Sequence, residues 1–331
     1  MTSIRDIAKL AGASVTTVSR VINNSGYVSA ATRARVEQAI AALAFTPNAN
    51  ARRMRSGNSL MVGVVLPALD VPFFGILAHV IEQELFRRGL QALICCTNES
   101  PDQEARYISM LLSQQVDGVL AASVLEDSTQ YQRLVDAGIP IVAIDRALPG
   151  LAAVSVAADH LTGGRMMAEH LLGLGHRRFA VIGAPQHSPP VQARVQGATE
   201  RLAEAGLAAQ VVLGSAHDFD ACRELALGIL GSSVDHRPTA VIGTTDIAAI
   251  GAIHAAIGLG LVVPDDVSVI GFDDLPEARY VLPALTTVAQ PFRQIGVQAV
   301  AQLAARIAGD VVELAALPLR LVVRDTTAPP R

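Results

Sequence analysis

Apolar residues recur at helical spacing over the first 45 positions. Ile4, Ile7, Ala8 and Ala11 fall at i, i+3, i+4 and i+7, one face of a helix. Ser3 stands where it can cap that helix, Asp6 can complete a capping box, and Gly12 ends it. Ser14 is placed to cap a second helix that buries Val18 and Ile22. Ser29 is placed to cap a third, with Val36, Ile40 and Leu43 as its apolar stripe. Three short helices with a tight glycine turn between the first two predict a helix-turn-helix.

From residue 60 the period changes. Short apolar runs at 61–66, 90–96, 118–122, 139–144, 179–182, 211–213, 240–242 and 267–272 alternate with amphipathic stretches of helical length. Such alternation predicts βαβ units around parallel sheets. Gly89, Gly138, Gly175 and Gly206 stand at expected helix ends, and Ser100-Pro101 supplies an N-cap followed by proline. Eight strands are too many for one small sheet, so two doubly wound subdomains are expected, with a ligand cleft beyond the carboxyl ends of their strands. The proline-containing tail, 326–331, is expected to fray.

Composition narrows the class. Hydrophobic residues make up 51% of the 331, yet no apolar run reaches the ~18 residues of a membrane span. The polar start, with Thr2, Ser3, Arg5 and Asp6, has no signal-peptide pattern. Cys95, Cys96 and Cys222 form no disulfide framework. They read as core filler in a reducing compartment, and the expected location is the cytoplasm. Net charge is −4, but residues 1–60 carry eight basic groups against two acidic ones, which leaves the remainder at −10. A basic segment on an acidic body suits a nucleic-acid module, although a solvated N-terminal helix would share the charge.

On the second helix Val15, Thr16, Ser19, Arg20 and Asn23 face outward, spaced i, i+1, i+4, i+5 and i+8. Small polar groups with one arginine suit the major groove, where arginine reads guanine bidentately. Ser14, Thr17 and Asn24 flank them and can hold phosphates. For the serines and threonines, helix capping is the alternative use.

Three stretches carry a family resemblance: residues 4–14, then Thr17 to Asn23, and then Val28, Ser29, Thr32, Arg33, Val36 and 47–49 with 52–57. The series continues through Pro72-Phe73-Phe74, Val116-Asp117-Gly118, Gly175-His176-Arg177-Arg178, 263–274 and 283–288. In this order they resemble the lactose-repressor (LacI/GalR) family of transcription regulators, over essentially the whole chain. The resemblance implies a helix-turn-helix head at 1–46, a hinge helix and linker at 47–58, and an effector-binding body at 59–331. The body would divide into subdomains of about 60–157 plus 291–318 and about 158–290 plus 319–331. It implies base reading by Val15, Thr16 and Arg20. Asn48, Arg52, Met54 and Arg55 would contact DNA on the hinge, with Met54 at the usual leucine wedge position in the minor groove. Residues 47–57 hold little apolar surface beyond Met54 and make too short a helix to persist alone, so they are expected to order on DNA. A homodimer reading a near-palindromic operator is expected. No leucine-heptad tail for tetramers is visible.

For the body the resemblance implies a cleft for a small metabolite, a sugar or sugar derivative. The matching residues are Phe73, Phe74, Asp145, Arg146, Arg194, Phe219, Asp246 and Asp273, and Asp70 joins them as a carboxylate that departs from the usual first loop. Carboxylates with arginine can bind vicinal hydroxyls bidentately, Arg194 could instead pair with a ligand carboxylate, and aromatic rings can stack on a ring of the ligand. Asp246 could instead cap the following helix, and Phe73 and Phe74 could be core. The chain departs from the family at Val71, where asparagine is usual, and at Thr245 of the pair Thr245-Asp246, so no sugar-specific subgroup is assigned.

Two rivals are weighed. A periplasmic solute-binding protein would share the two-lobed body but leaves residues 1–58 without a role. An enzyme would need chemistry that is not visible: no dinucleotide fingerprint, phosphate loop or nucleophile elbow occurs. The eight histidines lack metal-ligand spacing. No cofactor and no catalytic residue are expected.

Overall fold

The computed structural model describes residues 3–22, 25–45, 59–123, 128–183, 185–215 and 218–331. The chain divides into two compact units, Met1–Ser59 and Leu60–Arg331.

In the first unit, α1 (Ile4–Ala11) begins at Ser3, whose side chain accepts from Asp6 N while Asp6 reaches back to the Ser3 backbone. This is the capping box foreseen from the sequence. Gly12 ends the helix in the left-handed region at φ 58°, where a side chain would be strained. α2 (Val15–Ile22) and α3 (Ala30–Ala42) follow. Ser14 Oγ accepts from Thr17 N at 3.1 Å and Ser29 caps α3. The core joins Ile7, Ala8 and Ala11 to Val18, Val21, Val36 and Ala39. It departs from the expected stripe at α2, where Val21 is buried and Ile22 only partly. Val18 and Val21 are spaced i, i+3, which lies on one helical face as i, i+4 does.

The second unit holds two sheets. The first has the order β2-β1-β3-β4-β5, all parallel: β1 (Met61–Leu66), β2 (Gln91–Cys96), β3 (Gly118–Ala121), β4 (Ile141–Ile144) and β5 (Val154–Val156). The helices α4 (Pro72–Arg87), α5 (Pro101–Gln114) and α6 (Thr129–Asp136) connect its strands. The second sheet runs β11-β10-β9-β8-β6-β7. Its strands are β6 (Phe179–Gly183), β7 (Ala209–Leu213), β8 (Ala240–Gly243), β9 (Ser268–Asp273), β10 (Thr286–Ala289) and β11 (Arg320–Val322), and only β11 is antiparallel. The helices α7 (His160–Gly173), α8 (Pro189–Glu204), α9 (Phe219–Leu230), α10 (Asp246–Gly258) and α11 (Glu277–Tyr280) lie along this part of the chain. Last comes α12 (Phe292–Ala308), which leaves the second sheet to pack Ile295, Ala299, Val300 and Leu303 on the first, against Val62, Val64 and Leu120.

Two features reach the site. α7 and α8 cross at glycine: a Cβ on Gly164 would lie 2.0 Å from Arg194 O, and one on Gly197 would lie 2.0 Å from Leu161 O. Only glycine permits that approach, and it brings the start of α7 against Arg194. The tail corrects an expectation, because 326–331 is tied down. Thr326 is fully buried; its Oγ1 donates to Val269 O at 2.6 Å and accepts from Thr286 N at 2.9 Å. Ala328 and Ser268 exchange two further bonds.

Candidate functional site: a reading helix and a cleft with a buried charge chain

On α2, Val15, Thr16 and Arg20 are exposed and Ser19 half-buried, while Val18 and Val21 point into the core. Ser14 and Thr17 spend hydroxyl capacity on the cap, 2.8 Å from each other, and both remain near the surface. Asn23, Asn24, Asn48, Arg52, Met54 and Arg55, and the expected hinge helix with them, lie outside the described residues.

In the second unit the carboxyl ends of both sheets face a cavity of about 320 Å³. Asp70, Phe73 and Phe74 reach it from the β1–α4 connection, and Asp145 and Arg146 from the end of β4. Arg194 comes from α8, Phe219 from the start of α9 and Asp273 from the end of β9. Eight of the nine effector candidates therefore line one cavity. Phe73 and Phe74 are buried, in edge-on contact at 4.8 Å, and Phe73 also meets Phe292. They are core and wall at once. Phe219 is half-buried, edge-on to His254 at 5.0 Å.

Asp246 is the exception. It is fully buried behind the wall, where its carboxylate accepts from Leu275 N at 2.7 Å and Thr287 Oγ1 at 2.5 Å. Thr245, which caps α10, lines the cavity instead. Burial, then the neighbouring Asp273 charge, pushes the Asp246 carboxyl well above the usual carboxylate range.

A chain of buried groups makes the floor. Arg194 is 5% exposed. Its Nη1 donates to Thr244 O at 2.8 Å, its Nε donates to His160 Nδ1 at 3.3 Å, and Nη2 lies 3.8 Å from Asp273 Oδ1. The guanidinium carbon sits 3.8 Å over the Phe272 ring, a desolvated cation–π contact. His160 Nε2 lies 3.1 Å from Asp145 Oδ1, and Gln290 Nε2 donates to Asp273 Oδ1 at 2.6 Å. Asp145 and Asp273 hold φ of 66° and 127°, the kind of backbone strain that binding sites retain.

Burial raises the Asp145 carboxyl, but His160 and the Arg146 and Arg194 charges outweigh it and hold the group at about 2. At Asp273 burial wins over Arg194 and Gln290, aided by the Asp145 charge, and lifts the carboxyl to about 6. Burial draws Arg194 below its ordinary value, and the carboxylates partly restore it. Arg146 Nε is buried with no protein partner, and its side chain lines the cavity.

His160, Thr245, Ser188, Asp218 and Gln290 were not foreseen as site residues. The spacing of Gly164 and Gly197 was the readable signal for His160, since close helix crossing is what sets it beside Arg194.

This fold and cleft define a class: a helix-turn-helix unit joined to a two-lobed α/β ligand-binding unit. Residues 3–48 match bacterial regulatory proteins of the lacI family, and residues 168–327 match a periplasmic binding protein-like domain. Over 335 residues, 99% of this chain and 98% of the relative, the sequence is 36% identical to the HTH-type transcriptional regulator DegA of Bacillus subtilis. It is 34% identical to the ribose operon repressor of Halalkalibacterium halodurans, covering 99% and 97%. The lac repressor dimer bound to operator and the anti-inducer ONPF superposes with a TM-score of 0.89, at 28% identity over 99% of both chains. The chain belongs to the LacI family of bacterial regulatory proteins. It is a DNA-binding transcription regulator with a ligand-binding body. Among the described residues no helix is long and apolar enough to cross a membrane.

Proposed function

We propose that this regulator is a cytoplasmic homodimeric repressor and not an enzyme. Its operator affinity is set by a small neutral sugar or sugar derivative bound in the cleft. The carrying observation is the charge chain in the cavity floor. The Arg194 and Arg146 charges balance the Asp145 and Asp273 carboxylates, two against two, while Arg146 Nε keeps no protein partner. A floor of balanced charge under apolar walls suits a ligand with many hydroxyls and no net charge. The cavity lies near the small end of the range for ligand pockets, ~300–1,000 Å³, which favours one or two rings. One of the proteins reported above points the same way, being a ribose operon repressor. Val15, Thr16, Ser19 and Arg20 read bases in this proposal, and Ser14 and Thr17 hold phosphates. Asp70, Phe73, Phe74, Asp145, Arg146, Arg194, Phe219 and Asp273 contact the effector, with Asp246 bracing the wall from behind through Leu275 N and Thr287 Oγ1. The subdomain boundaries near 157/158, 290/291 and 318/319 are part of the same reading.

Selection from a random duplex library with purified protein tests it, followed by melting in the presence of pentoses, hexoses and disaccharides. The expected result is a near-palindromic consensus and one neutral sugar that raises Tm and shifts operator affinity ~5–150-fold. A library without consensus, or stabilisation by acidic metabolites alone, would overturn the reading.

A further inference from the structure

We propose that His160 is a positioning residue that latches the two lobes together, through a neutral imidazole that accepts from Arg194 on one side and donates to Asp145 on the other. The chemistry of the partners sets the roles. A guanidinium has donors and no acceptor, so His160 Nδ1, 3.3 Å from Arg194 Nε and 3.2 Å from Arg194 Nη2, presents its lone pair. The proton then sits on Nε2, 3.1 Å from the Asp145 carboxylate. A second proton on Nδ1 would face the guanidinium and break the relay.

The two ends of the relay belong to different sheets. Asp145 follows β4 of the first sheet, whereas His160 opens α7 and Arg194 lies on α8, both packed with the second. The contact also stands beside a crossing of the chain, since β5 ends at Val156 and α7 begins at His160. A bond this near a pivot fixes the angle between lobes, because a small displacement there becomes a larger one at the cleft rim. His160 is buried and does not line the cavity, so it acts through Arg194 and Asp145. An effector that hydrogen-bonds Asp145 or Arg194 changes the latch by competing for its partners. This consequence rests on the cleft being the effector site, whereas the latch itself exists without ligand.

The test uses full-length, ligand-free protein with Cys96→Ser, spin-labelled at Leu69→Cys and Asp220→Cys, both exposed near the rim on opposite lobes. Pulsed dipolar spectroscopy reads the distance between labels, and melting curves check that each variant folds. Wild type is expected to give one narrow distribution. His160→Ala should broaden it toward longer distances. His160→Gln should restore it, since an amide also offers one acceptor and one donor side by side without titrating. Long-range proton–nitrogen correlation spectra should show His160 protonated on Nε2 alone. An alanine variant with the wild-type distribution, a glutamine variant as open as alanine, or a proton on Nδ1 would each overturn the latch. A failed operator selection would sink the proposed function and leave these distances standing.

Discussion

On α2 of the head, Arg20 stands exposed with its stem over Gly26. In the body, Arg194 is buried, bonded to Thr244 and His160 and paired with Asp273. The head keeps its chemistry on the surface of a small apolar core of isoleucine, valine and alanine. The body buries its chemistry between two sheets and must balance every charge there. The head can therefore change its reading residues with little effect on folding, whereas in the body recognition and stability share the same side chains.

Removing each arginine tests that difference at its largest. Arg194→Ala leaves Asp273 without its cation, and breaking such a buried pair costs ~3–5 kcal/mol. Urea unfolding of the body should show that loss, and the thermal response to effector should vanish. Arg20→Ala should stay within ~0.5 kcal/mol of wild-type stability, yet lose ~1–3 kcal/mol of discrimination at one operator base pair. A stable Arg194→Ala protein, or an Arg20→Ala head that melts, would break the comparison.

Much of the head was legible because its logic is local. Ser3 with Asp6, Ser14 and Ser29 act as caps where the sequence placed them. Eight of the body's strands were also foreseen, with ends shifted by up to two residues, because buried parallel strands are continuous apolar runs. β5, β10 and β11 escaped for physical reasons. β5 and β11 have three residues each, too short for any period. β10 opens with Thr286 and Thr287, buried polar residues whose hydroxyls are satisfied by Thr327 and Arg324 N and by Asp246 respectively. The tail was read as frayed for the same reason: its anchors are hydrogen bonds to residues some sixty positions away. Asp246 and His160 show the limit of reading a site from a strand end. Asp246 follows β8 as a ligand residue would, but its neighbours across the sheet consume its carboxylate. His160 enters only because two glycines bring α7 against α8.

A smaller effect sharpens that last point. Gly197→Ala places a Cβ 2.0 Å from Leu161 O, and the resulting overpacking costs ~1–3 kcal/mol. Displacing α8 from α7 should also separate Arg194 from His160, so effector affinity should fall while the DNA consensus is unchanged. Calorimetry with the selected sugar and a repeat of the DNA selection check both halves.

The smallest expected effect is a pH slope confined to the body. Burial raises the Asp273 carboxyl to about 6, so the native state holds a proton that the unfolded chain has already released. Stability is then fully present below the unfolded value near 3.8 and is lost as pH rises through about 6. Asp145, held at about 2, works in the opposite sense, and its contribution is lost only as pH falls from 3.8 toward 2. Asp273→Asn should reduce the body's stability slope between pH 4 and 6, with the remainder belonging to Asp246, whose carboxyl is also raised, and should leave the head's melting unchanged.

The central claim, that a ligand in the charged cleft controls DNA binding by the head, is tested most directly by one reciprocal titration. Operator affinity is measured by fluorescence anisotropy with and without the selected sugar, and sugar affinity by calorimetry with and without operator. Linkage requires the same factor in both directions. Equal shifts, ~5–150-fold, are expected, and they should disappear together in Arg146→Ala, since Arg146 lines the cavity. A sugar that binds the protein and leaves operator affinity unchanged, or shifts that survive Arg146→Ala undiminished, would contradict it.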